Sequence, residues 1–127
     1  MKITFSSKHD IFVKADRARL CQVFANLLNN AIKFTKEGSI IIIVQRNDEL
    51  NEAVVSIKDT GVGTDPEILP RLFSRFATKA ETSGTGLGLF ISKSIIEAHG
   101  GKIWAKNNSD DKGGAAFSFS LPISIEE

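Results

Sequence analysis

The chain has 127 residues, 42% of them hydrophobic and 24% charged, and a formal net charge of +1. That is the length of one domain with a core of its own, without the basic excess that would argue for nucleic acid or an anionic membrane. The lone Cys21 excludes an internal disulfide framework or a cysteine metal site and fits a reducing compartment, and no apolar run reaches the roughly 18–20 residues of a membrane span.

In chain order, Lys2–Ser6 (KITFS) and Ile11–Lys14 (IFVK) alternate in character and predict two short, half-buried strands. The turn SKHD between them holds His9, read as a solvated turn residue. Asp16–Thr35 follows as an amphipathic helix with Asp16 as its N-cap. Leu20, Val23, Phe24, Leu27, Leu28, Ala31 and Ile32 supply its apolar arc at three- and four-residue spacing. Asn26, Asn30 and Lys33 form a second line at i, i+4 and i+7. Asparagine is a mediocre helix former, so Asn26, Asn29 and Asn30 weaken a helix that Ala or Glu would serve better. A solvated face is the bland alternative for any one of them. Amide oxygens beside an ammonium also suit a hard metal ion and the phosphates it carries.

Lys36-Glu37-Gly38 is a helix stop. Ser39–Arg46 (SIIIIVQR) is β-branched nearly throughout and predicts a strand buried on both faces. Ala53–Lys58 returns after NDELNE and delivers Asp59-Thr60-Gly61-Val62-Gly63 at its end. A carboxyl group at a strand end followed by alternate glycines is a binding-loop pattern, although a plain tight turn gives the same letters. Thr64–Leu69 predicts a short helix, and Phe73 and Phe76 core or pocket-wall positions. Ala77–Ser83 has no apolar periodicity and is bounded by glycine, so it is read as mobile, with Arg75 and Lys79 read from the residues as ordinary surface charge. Gly84-Thr85-Gly86-Leu87-Gly88-Leu89 then opens a helix over Leu87–Ala98. Glycines there free backbone amides to face an anion at the positive end of the helix dipole. The spacing is neither Rossmann nor Walker A. His99-Gly100-Gly101 ends that helix, with His99 as a cap that suits the dipole. Lys102–Asn107 and Ala115–Leu121 predict a closing hairpin.

The β-β-α-β-β-α-α-β-β order predicts an α/β two-layer sandwich, with one mixed, mostly antiparallel sheet carrying its helices on a single face.

NLLNNAIKFT resembles the N box of the ATP-binding domain of sensor histidine kinases, in the GHKL superfamily of gyrase, Hsp90, histidine kinases and MutL. DTGVG resembles the first glycine box of that family, RLFSRF its F box, and GTGLGLFISKSIIEAHGG its second glycine box with the helix beyond. Four boxes in the right order over almost the whole chain imply the Bergerat ATP-binding fold and a single catalytic domain over residues 1–127, cut from a longer protein that also carries the dimerisation and phosphoacceptor domain. They imply ATP and Mg²⁺ as cofactors. Asn30 would be the metal ligand, and Asn26, Asn30 and Lys33 the catalytic set, with Asn26 and Lys33 on phosphate oxygens. Asp59 would accept from the adenine amine, Gly61 and Gly63 would let the base approach, and Ile68, Leu72 and Phe76 would wall the pocket. Gly84, Thr85, Gly86, Leu87, Gly88 and Leu89 would hold the phosphates, and Ala77–Ser83 would be a lid hinged by the F box, with Arg75 and Lys79 as candidates to meet the γ-phosphate when it closes. His9 departs from a phosphoacceptor, because a strand rather than a long helix follows His9-Asp10.

Another departure bears on the reaction. In the gyrase, Hsp90 and MutL branches a Glu four residues before the metal Asn activates water, and here that position is Asn26. An amide is no general base near neutral pH. The resemblance therefore implies a protein-histidine kinase catalytic domain of two-component signalling. It would transfer the γ-phosphate of Mg-ATP to a histidine on a separate domain, with a response regulator downstream, in the cytoplasm and without nucleic acid or membrane contact. An anti-sigma-type serine kinase or a nucleotide-gated interaction module of the same superfamily is the alternative.

Overall fold

The computed structural model describes residues 2–7, 11–35, 38–61, 63, 72–74, 88–108 and 113–123. Among them lie five strands and two helices. Strand β1 is Lys2–Ser7, helix α1 Arg17–Phe34, β2 Ser39–Asn47, β3 Glu52–Asp59, helix α2 Gly88–Ala98, β4 Lys102–Asn107 and β5 Ala115–Pro122. They form one sheet in the order β1-β2-β3-β5-β4. β1 and β2 pair in parallel, as they can because α1 supplies the crossover between them. The other three pairings are antiparallel. The sheet is therefore mixed and mostly antiparallel, and both helices pack on one of its faces.

The register sets that face. Ile40, Ile42 and Val44 of β2 stand opposite Asp59, Ile57 and Val55 of β3. Ile57 and Val55 in turn face Phe117 and Phe119 of β5. Onto this row α1 lays Val23, Leu27 and Ala31, all fully buried, and α2 adds Ile96. Phe24 meets Phe119 edge to face at 5.4 Å, and Phe73 meets Phe117 likewise at 6.5 Å. Leu72 and Phe73 pack against the same cluster.

Three expectations need correction. Ile32 is 40% exposed. At 3.6 residues per turn it lies about 140° round the helix from Leu27, beyond the edge of the buried arc. Ile11–Lys14 is not a strand; only Val13 bridges, to Ile123. The neighbouring residue on the β5 side is Pro122, which has no N–H with which to extend a ladder. β2 is not buried on both faces: Ile40 is buried, while Ile41 and Ile43 are only half-covered, because among the described residues no second layer lies over that side.

The expected short helix Thr64–Leu69, the lid Ala77–Ser83 with Lys79, and Arg75, Phe76 and His9 lie outside the described residues.

Candidate functional site

Two groups of polar residues meet at the helix-covered side of the sheet. The first surrounds Asp59, at the last position of β3 and only 2% exposed. A polar group taken out of water must find partners, and the main chain supplies them. The Gly61 N–H donates to Asp59 Oδ1 at 3.0 Å, and the Ala115 N–H donates to the same oxygen at 3.2 Å. The Asp59 carbonyl accepts from Asn108 Nδ2 at 2.8 Å, and that amide also donates to Gly113 O at 3.1 Å. Gly114 completes the corner. Its φ is +91°, and a Cβ there would lie 2.0 Å from Asp59 O, so only glycine admits this approach.

The loop leaving Asp59 is pinned from the other side. Thr60 N–H donates to Ser39 O at 3.1 Å, and Ser39 N–H donates to Thr60 Oγ1 at 3.0 Å. Gly38, at φ +124°, leaves room for that hydroxyl where a Cβ would stand 2.2 Å from it. Gly63 has φ +78° and passes close to Asn107. Thr35, the C-cap of α1, is fully buried, with no hydrogen-bond partner for Oγ1 among the described residues.

The second group lies along the seam between α1 and α2. Asn26 and Asn30 sit on the flank of α1, half-buried, whereas Asn29 points to solvent. The three asparagines thus divide by angle around the helix. Asn26 Nδ2 donates to Gly88 O at 3.2 Å and to Ser92 Oγ at 3.1 Å. Ser92 is fully buried, and its hydroxyl donates back to Gly88 O at 3.0 Å. Both amide hydrogens of Asn26 are therefore committed to the first turn of α2. Lys33 lies exposed in the last turn of α1, and Leu89 is half-buried against the core.

Of the residues singled out from sequence, Asn26, Asn30, Lys33, Asp59, Gly61, Gly63, Leu72, Gly88 and Leu89 are described, and Asn26 and Gly88 are in direct contact. Ile68, Phe76, Gly84, Thr85, Gly86 and Leu87 lie outside the described residues. Ser92, Asn108, Gly113 and Gly114 were not anticipated. Ser92 had a faint signal, a hydroxyl one helical turn after Gly88 on the face otherwise formed by Leu89, Ile95 and Ile96.

Comparison with known proteins settles the family. The profile described as "Histidine kinase-, DNA gyrase B-, and HSP90-like ATPase" matches residues 15–125. The chain belongs to this family. Within it, the relatives include proteins named as sensor proteins and sensor histidine kinases. Sensor protein FixL of Bradyrhizobium diazoefficiens is 42% identical over 118 residues, 90% of this chain and 22% of the relative. Sensor histidine kinase WalK of Bacillus subtilis is 36% identical over 124 residues, 93% of this chain and 20% of that protein. The chain thus spans about a fifth of the length of these curated relatives. Among solved structures, full-length ShkA in complex with AMPPNP superposes with a TM-score of 0.84 at 31% identity, covering 98% of this chain and 26% of that one. The catalytic domain of histidine kinase ThkA, in a nucleotide-free form, gives 0.79 at 36% identity, covering 95% of this chain and 77% of that one. The two-layer sandwich is therefore the fold of histidine kinase catalytic domains.

Proposed function

We propose that this chain binds Mg-ATP and transfers its γ-phosphate to a histidine on a separate phosphoacceptor domain of the same or a partner polypeptide. Residues 1–127 are, on this reading, one catalytic domain of a longer cytoplasmic or membrane-anchored sensor, with a response regulator downstream. ThkA, which is similar in structure, has been solved in complex with the response regulator TrrA. No helix among the described residues is long and apolar enough to cross a membrane.

Adenine would sit against Asp59. Both described bonds to its carboxyl group end on Oδ1, so Oδ2 is the acceptor offered to the exocyclic amine of the base, a group that guanine replaces with a carbonyl. Gly61 and Gly63 would let the ring approach the backbone, and Ile68, Leu72 and Phe76 would wall the pocket. The phosphates would lie along the seam, held by Lys33 and by the amides of Gly84, Thr85, Gly86, Leu87, Gly88 and Leu89 at the positive end of α2.

The donor chemistry fits Mg²⁺. Among the described residues no three His, Cys, Asp or Glu side chains cluster into a protein cage. Mg²⁺ characteristically keeps water and phosphate ligands and takes only one or two from protein. Asn30 offers one hard oxygen from the same flank of α1 as Asn26, and would hold the ion. When bound, the metal supplies neutralisation of the phosphate charge. Arg75 and Lys79 would add charge from the lid.

The observation that carries the transfer reading is Asn26. It occupies the position from which related ATPases activate water, and its N–H groups are spent bracing Gly88 and Ser92. Any phosphate contact from that amide would replace one of these bonds. With no base at that position, the chain can orient the γ-phosphoryl group but not deprotonate water. An incoming imidazole is already nucleophilic. Its nitrogen forms the new P–N bond as the bond to the β-phosphate oxygen breaks, and ADP leaves. The chain's part is positioning and charge stabilisation.

Labelled ATP with and without a dimeric helical domain bearing an acceptor histidine tests this. The expected result is slow turnover alone and transfer in trans, to an acid-labile, alkali-stable phosphoramidate. An acid-stable product would place the chain with the serine kinases. Fast hydrolysis without acceptor would contradict the role given to Asn26, and binding without transfer would favour the interaction module.

A further inference from the structure

His99 stands at the opposite end of α2 from the phosphate-binding turn. It is the C-cap residue of a tightly closed helix end: Gly101 N–H donates to Ile96 O and Gly100 N–H to Glu97 O, both at 3.0 Å, with Gly100 at φ +80°. Gly101 presses onto β5, where a Cβ would stand 1.8 Å from Ser120 O. The end of α2 that carries the imidazole is thereby fixed against the sheet.

Both ring nitrogens are engaged there. Nδ1 lies 2.7 Å from Ile95 O, and Nε2 lies 3.0 Å from the backbone nitrogen of Asp16, 83 residues away in sequence. A carbonyl can only accept and an amide N–H can only donate. Nδ1 must therefore carry the proton and Nε2 must be bare: only the neutral Nδ1–H tautomer satisfies both bonds.

Asp16 gives the contact its purpose. It is the N-cap of α1, and its side chain accepts from Arg19 N–H at 3.1 Å. In a capping box a Glu or Gln three residues on would return a bond to the N-cap's own N–H. Here that residue is Arg19, which has no acceptor. His99 supplies the missing acceptor from the other helix. α1 and α2 are then fastened twice, by Asp16 and His99 near one end and by Asn26 with Gly88 and Ser92 near the other.

We infer that His99 is a positioning residue for the nucleotide site: as a neutral Nδ1–H imidazole it latches the start of α1 to the end of α2 and so fixes the axial register in which Asn26 meets the first turn of α2. The effect on nucleotide rests on the function proposed above; the latch itself does not. Losing the latch frees the start of α1 to shift against α2, whose own end stays held by Gly101 on β5 and by Ile96 in the core.

The test uses the 127-residue chain. Ring ¹⁵N resonances of His99 at neutral pH should show Nδ1 protonated and Nε2 bare. In His99→Ala the Asp16 amide should lose hydrogen-exchange protection, and the Asn26 side-chain amide resonances should move although that residue is untouched. Binding of Mg-AMPPNP should weaken roughly three- to tenfold. His99→Gln, whose terminal amide carries a donor and an acceptor at similar separation, should recover most of the affinity and the Asn26 shifts. An Nε2–H ring, unmoved Asn26 resonances in a folded His99→Ala variant, or a Gln variant as impaired as Ala would overturn the inference. If the unaltered chain binds no nucleotide, the proposed function fails, and the tautomer and the Asn26 shifts still decide the latch.

Discussion

At the Asp59 corner the carboxyl group is held by main chain, and along the α1–α2 seam the contacts are made by side chains. The Asp59 carboxyl group takes its bonds from the backbone of Gly61 and Ala115, with Gly114 pressed against the Asp59 carbonyl, which Asn108 also reaches. The seam depends on the amide of Asn26, the hydroxyl of Ser92 and the imidazole of His99. Backbone groups at the ends of paired strands move only if the sheet moves, so the corner presents one fixed acceptor. That suits the reading of a base. Side chains can exchange partners by rotating a bond or two, which suits the proposal that the seam handles phosphates and a metal during transfer. The corner should therefore respond to backbone changes and the seam to side-chain changes.

The largest effect is expected where the seam carries chemistry. Asn30→Ala should abolish detectable phosphotransfer by removing the metal's protein ligand. It should shift unfolding stability by less than about 1 kcal/mol, since Asn30 lies outside the buried cluster. A transfer assay beside a urea melt would show the separation. Substantial residual transfer would mean that the metal is held elsewhere.

Gly114→Ala is the matching change at the corner and should act through the fold. A methyl group cannot sit 2.0 Å from Asp59 O at φ +91°, and the strain plus a displaced strand end should cost about 2–4 kcal/mol. The urea midpoint should fall, and nucleotide binding should fall with it. The same substitution at Gly88, where the nearest atoms to a Cβ are at 3.9 Å, should be tolerated far better.

Asp59→Asn sharpens the contrast. The new amide can still accept from Gly61 and Ala115 through its oxygen, so the corner should fold. That choice turns its NH₂ toward the base, donor against donor. ATP binding should weaken by about 1–3 kcal/mol, with the discrimination against guanine nucleotides narrowed. Calorimetry with both nucleotides reads this directly, and an unchanged ATP affinity would show that Asp59 does not face the base.

The smallest effect belongs to Ser92→Ala. It removes one of two acceptors for Asn26 while leaving Gly88 O, so about 0.5–1.5 kcal/mol of stability should be lost, with only a modest loss of nucleotide affinity. A melt and one titration are enough.

These two regions also differed in how much of them could be read from the sequence. α1 was legible because a single stretch carries both its apolar period and its amide flank, and the cap Asp16 stands where a cap belongs. Asp59 was legible because strand, carboxyl group and glycines are contiguous. What completes each region was not. Asn108 reaches Asp59 across 49 residues and Ser92 reaches Asn26 across 66. Gly113 and Gly114 sit in SDDKGG, which reads as any turn would. Burial was misjudged for a related reason. The run of isoleucines in β2 states that the strand is apolar, not how many layers cover it, and Ile32 matches the apolar spacing while falling outside the arc. Ile11–Lys14 alternates like a strand, but pairing needs a free partner, and Pro122 withholds one.

The central claim is that an adenine nucleotide spans from the fixed acceptor at Asp59 to the amide flank of α1. Calorimetric titration of the unaltered chain with ATP and with GTP, each in the presence and absence of Mg²⁺, tests it most directly. The account predicts metal-strengthened ATP binding and GTP binding weaker by at least about tenfold. Equal affinity for the two nucleotides, or ATP binding indifferent to the metal, would contradict it.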